Sequence, residues 1–152
     1  MKRYDYRGVL EENRKQLQKS IFWLRRSYEI CRKIGIKSEY SEEEFDALET
    51  LVSRFARTTD LLVHKVFRSI DRMELEEEGS LLDVVIRAEK RGLIASADQM
   101  RLIKDLRNRI VHEYSSDFIF DVLEDIFDYI PQLFEIANKT EKYCQKYDQS
   151  VS

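Results

Sequence analysis

The chain has 152 residues, the length of one domain, and a domain of that size builds a sufficient core without a structural metal or disulfide. Charged residues make up 36% and apolar residues 43%, with four glycines and one proline, which disfavours turn-rich β architecture and favours long amphipathic helices. The net charge of −3 excludes a protein that holds nucleic acid by bulk electrostatics, so any such contact has to be local.

Apolar residues Leu10, Leu17, Ile21, Leu24, Tyr28 and Cys31 recur at helical spacing, predicting a first helix over 9–33 that stops near Gly35. Ser41 followed by Glu44 reads as a capping box. It opens a second helix whose stripe of Phe45, Leu48, Val52, Phe55, Thr59, Leu62 and Val66 continues to about Ile70. The run from Glu74 to Gly79 is a solvated connection, after which Ser80 starts a short helix through Leu81, Leu82, Val85 and Ile86 to Arg91 and Gly92. Ser96 caps a fourth long segment through Met100, Ile103, Leu106 and Ile110, ending around 112–115. The last helix starts near Ser116 and Asp117, carries Phe118, Val122, Ile126, Ile130, Leu133, Phe134 and Ala137, and fades into a polar tail from about 145. Pro131 predicts a kink or break within it, because its ring removes a backbone donor and crowds the preceding turn. The expectation is one all-α domain over 1–152, an antiparallel four-helix up-and-down bundle with an additional short helix.

Cys31 and Cys144 are far apart in sequence and read as free thiols of a reducing cytosol. The basic amino terminus is followed by Glu11, Glu12 and Asn13 in place of an apolar signal core, and no continuous apolar run approaches membrane-spanning length. A cytoplasmic protein without membrane association is expected. No glycine-rich phosphate loop, paired cysteines or HExxH segment is present, and no cofactor or metal site is expected.

The chain has two histidines. His64 lies beside core positions without metal-ligand spacing and reads as a structural or surface residue. His112 has different company: Arg107 five residues before it, Asn108 four before it and Tyr114 two after it. The segment Arg107-Asn108-Arg109-Ile110-Val111-His112-Glu113-Tyr114 resembles the Arg-polar-xxx-His signature of HEPN domains, and with Tyr114 the RxxxxHxY form of HepT toxins. Its place before the final helix of a helical domain also fits.

The resemblance implies a metal-independent ribonuclease toxin of a type VII-like toxin–antitoxin pair. His112 would handle the proton as an RNA 2′-hydroxyl attacks the adjacent phosphate, and Arg107 would hold the phosphate charge. It further implies adenylylation of Tyr114 by a minimal nucleotidyltransferase antitoxin of the MNT type, placing phosphate charge and bulk where the RNA phosphate would bind. As a lone residue, one of eight tyrosines, Tyr114 reads as core or boundary packing at helical spacing with Ile110.

Periodicity adds a constraint. At about 100° per residue, Arg107 and His112 stand about 140° apart on a regular helix, whereas Asn108 and His112 share a face, so the amide is placed to orient the imidazole. Either the helix unwinds before His112 or two copies face one another; a homodimer with a shared cleft is favoured. Cations outnumber acids over 87–109, making Arg101, Lys104 and Arg109 candidate RNA contacts. The competing reading is a non-catalytic nucleotide- or substrate-binding subunit of a two-component nucleotidyltransferase, with a helical adaptor as a third possibility.

Overall fold

The structure is a computed structural model that describes residues 5–113 and 117–148. Its elements are α1 (Tyr6–Ile34), α2 (Glu42–Asp60), a π-helical segment (Leu61–Phe67), α3 (Arg68–Met73), α4 (Leu81–Lys90), α5 (Ala97–His112) and α6 (Phe118–Asp148). The protein is all-helical, with no strand among the described residues.

The expected start and stop signals operate. The Ser41 side chain accepts from the Glu44 N–H while Glu44 accepts from the Ser41 N–H. Ser80 and Asp83 repeat that exchange at α4, and the Ser96 hydroxyl accepts from the Gln99 N–H at α5. These bonds satisfy backbone donors that no helical carbonyl reaches. Gly35 and Gly92 end α1 and α4 with φ of +74° and +77°, a region in which a Cβ is strained.

One core unites the helices. Leu10, Leu17, Leu24 and Cys31 of α1 are buried against α2, the π segment, α3 and α6. From α6, Val122, Leu123, Ile126, Ile130 and Leu133 reach the same core, as do Met100, Ile103 and Leu106 of α5. Both cysteines are free and buried, and burial pushes the thiol pKa up to about 11 at Cys31 and about 12 at Cys144. Among the described residues, no helix is long and apolar enough to cross a membrane.

Three details depart from the periodicity. First, α2 does not remain α-helical to residue 70. The widened turns over Leu61–Phe67 bury the adjacent pairs Leu62–Val63 and Val66–Phe67 and leave His64 and Lys65 exposed. A π turn rotates the register by an added residue, and such turns recur at functional sites. Second, α6 is continuous through Pro131 and runs on to Asp148. Pro131 is exposed, so water can satisfy the carbonyl of Phe127 that loses its donor, while Ile126, Ile130 and Leu133 hold both halves to the core. Beyond 145 the helix persists because buried Arg14 of α1 binds both Glu141 and Asp148. Third, α4 buries Val84, Val85 and Ala88, leaving Leu82 62% and Ile86 38% exposed.

A polar junction ties the end of α6 to the connection after α3. Glu74 accepts from the hydroxyls of Tyr143 and Tyr147, from Lys146 Nζ and from Arg91 Nε. Burial would raise the Glu74 pKa, but these donors outweigh it and hold the carboxyl down at about 2, from an ordinary 4.5. A depressed carboxyl pKa stabilises the fold fully above 4.5, and that contribution is lost as pH falls toward 2. Glu74→Gln is therefore expected to lower stability at pH 7 by about 2 kcal/mol and to flatten acid denaturation between the two pKa values. Urea melts at pH 7 and pH 3 check this; equal losses at both would show that the charge is not responsible.

Candidate functional site

Helix α5 carries the motif, and its two faces divide it as expected. Met100, Ile103, Leu106 and Ile110 are buried, Arg107 lies at the edge of their stripe, and Asn108 and His112 are exposed. The helix stays regular through His112, with the Glu113 N–H donating to the Arg109 carbonyl. Unwinding before His112 is thus not how Arg107 and His112 come together, and within one chain they point about 140° apart. Tyr114 lies outside the described residues.

Arg107 is held from α2. Its Nη2 donates to Asp60 Oδ2 at 2.7 Å, and its Nε lies 2.7 Å from Oδ1, an ionic contact poorly aligned for a hydrogen bond. Nη1 donates to Asn108 Oδ1 at 3.1 Å. Asn108 thus contacts Arg107, a partner that its one-turn spacing from His112 does not suggest. Since a guanidinium has five N–H groups, the clamp leaves donors on the Nη atoms for an oxyanion.

The same carboxylate faces a second cation. Lys104 is 7% exposed; its Nζ lies 3.9 Å from Asp60 Oδ1 and 3.0 Å from His64 Nε2. An ammonium only donates, so the contact places the imidazole lone pair on Nε2 and its proton on Nδ1. Although much of His64 is exposed, desolvation on the packed side, with the charge of Lys104, lowers its pKa below the ordinary value. Burial likewise lowers the Lys104 pKa, with Arg107 adding to it and Asp60 opposing. The assembled site is Asp60, His64, Lys104 and Arg107 with Asn108, one positive charge in excess, at the junction of α2 with the π segment.

Two of its members went unrecognised in the sequence. Asp60 and His64 stand four residues apart, which places them together on one helix face. That pairing, at the edge of an apolar stripe, was the available signal.

The candidate RNA contacts on α5 are differently placed from the expectation. Lys104 is buried. Arg101 contacts Asp98 at 3.0 Å and Asp105 at 3.3 Å, and Arg109 lies 3.9 Å from Asp125 and over the Phe118 ring. Arg87 and Arg91, also counted in the basic sector, bind Asp71 across the fold. The linear excess of cations over 87–109 is thus largely matched by acids, several of them from outside that stretch.

Against known proteins, the chain matches no protein-family model, no curated protein and no solved structure. What the fold itself defines is an all-helical protein with a clamped arginine about one and a half turns before an exposed histidine on the same helix.

The Lys104–His64 contact is testable by imidazole NMR. Lys104→Met is expected to raise the His64 pKa, since it removes a neighbouring positive charge. An unchanged or lower value would show that the ammonium does not face that ring.

Proposed function

We propose that the protein is a HEPN-type ribonuclease toxin of the HepT kind, with Arg107 of one copy and His112 of a second copy acting on one RNA phosphate. The observation that carries this reading is the Arg107 clamp: a guanidinium oriented side-on by Asp60 and Asn108, five residues before an exposed histidine in the last turn of α5. Holding the fork in place lowers the ordering cost of binding a phosphate.

The reaction follows from those groups. The 2′-oxygen attacks phosphorus, the bond to the 5′-oxygen breaks, and His112 takes the proton from the 2′-hydroxyl or returns one to the leaving oxygen. Arg107 stabilises the charge on the non-bridging oxygens. The nucleophile belongs to the RNA, so the step calls for no metal-bound water, and the products end in a 2′,3′-cyclic phosphate and a 5′-hydroxyl.

In this reading a homodimer completes the divided geometry. Arg101, Asp105, Asn108 and His112 share one face of α5, and beside it a cleft of about 340 Å³ is lined by Leu81, Leu82 and Val85. Leu82 offers exposed apolar area there, and in this reading a two-fold contact near the end of α5 sets Arg107 of one copy toward His112 of the other. The long rods and short connections suit the antiparallel four-helix arrangement. In the same reading, an MNT-type nucleotidyltransferase partner adenylylates Tyr114 and silences the enzyme.

His112→Ala is expected to reduce RNA cleavage by about 10²–10⁴-fold with helicity intact, and wild-type cleavage is expected to persist in EDTA. Cleavage by His112→Ala at the wild-type rate would exclude His112 from the reaction. Binding of nucleotide without cleavage of any RNA would favour the substrate-binding subunit instead. Intact mass after co-expression with the nucleotidyltransferase is expected to show an adduct on wild type and none on Tyr114→Phe.

A further inference from the structure

A second surface has the free positive charge that α5 lacks. Lys19 and Trp23 of α1 recur at one-turn spacing, as do Arg54, Arg57 and Leu61 across α2 and the start of the π segment. The two stripes face each other across a groove of about 490 Å³, with three cations and no carboxylate among its lining residues. Its floor is closed by a 2.6 Å hydrogen bond between the Ser20 and Thr58 hydroxyls.

Trp23, the one tryptophan of the chain, is 48% exposed in this groove. Arg54 is fixed beside it, donating to the Trp23 carbonyl and to Ser27 Oγ, with its guanidinium 5.2 Å from the indole centroid. An exposed indole with one face against a cation is a platform for stacking a flat, electron-rich ring. Flanking cations, with no acid among the groove's lining residues, suit the phosphates on either side of it. Leu61, in the groove's lining, directly follows Asp60, which holds Arg107, in the chain.

We infer that the groove between α1 and α2 binds a single-stranded stretch of RNA, one base stacked on Trp23 and neighbouring phosphates on Lys19 and Arg57. A duplex is excluded from this mode, since its bases are already stacked and paired. The inference rests on the ribonuclease reading only in taking that strand as the substrate.

The test titrates full-length His112→Ala protein with a labelled single-stranded RNA of about a dozen nucleotides, following tryptophan emission and probe anisotropy at several salt concentrations. Expected are a saturable change in Trp23 emission and a loss of affinity of about tenfold or more in Trp23→Ala, with most of the affinity kept in Trp23→Phe. Lys19→Gln with Arg57→Gln is expected to reduce the slope of log K against log salt by about 1.4, or about 0.7 for each phosphate that is no longer neutralised. Unchanged emission at saturation, or Trp23→Ala binding within twofold of its parent while still helical by circular dichroism, overturns the inference. So does an equal response to double-stranded RNA, or a response to an acidic peptide and none to RNA. Cleavage by otherwise wild-type protein with unchanged KM in the Trp23 and Lys19/Arg57 variants overturns the groove and leaves the ribonuclease reading standing. Stacking on Trp23 without cleavage by wild type supports the groove and overturns that reading.

Discussion

The contact on which the site depends is the one from Asp60 to Arg107. It joins α2 to α5 where the main-chain helix widens, and it fixes a guanidinium that is otherwise among the most mobile side chains. Half-buried charge pairs repay little of their desolvation as net stability, but removing one partner leaves the other uncompensated. Here the carboxylate also faces buried Lys104, so losing it would leave two cations, Lys104 and Arg107, without their shared counter-charge. Such an arrangement is costly as scaffolding alone and intelligible as a means of orienting positive charge toward a ligand.

The electrostatics of the stretch over 87–109 follow from matching most of its cations with acids across the fold. Arg14, Arg87, Arg91 and Arg101 each meet at least one carboxylate, and for Arg14, Arg87 and Arg91 a partner lies on another element of the fold. The clamp carries one positive charge in excess, and the α1–α2 groove has three cations and no carboxylate among its lining residues. For a protein of net charge −3, any contact with a polyanion has to be local.

Much of the scaffold was legible in the sequence because its determinants are local. Ser41, Ser80 and Ser96 mark helix starts through side-chain bonds three residues long, and the stripes of Leu10 to Cys31 and Leu48 to Val66 declare buried faces by their spacing. The split of α5 into a face with Arg107 and a face with His112 was legible for the same reason. Non-local pairings were not. Asp60 lies 47 residues from Arg107, Lys104 lies 40 from His64, and the Asp71 partners of Arg87 and Arg91 are 16 and 20 residues away. A count of charges along 87–109 therefore read as a basic surface what is mostly neutralised in three dimensions. The π segment escaped periodicity because a widened turn still places Leu62 and Val66 inside. Trp23 carried no motif, and its meaning arose only when α2 set Arg54 and Arg57 opposite it.

The divided geometry of α5 sets the sharpest test. Arg107→Ala and His112→Ala chains, co-expressed with different tags and purified as mixed pairs, each lack one half of the motif. If Arg107 of one copy works with His112 of the other, one intact combination survives in every mixed pair, and RNA cleavage returns to about half the wild-type rate although each parent pair is inactive. Mixed pairs that remain as inactive as their parents would contradict the shared site.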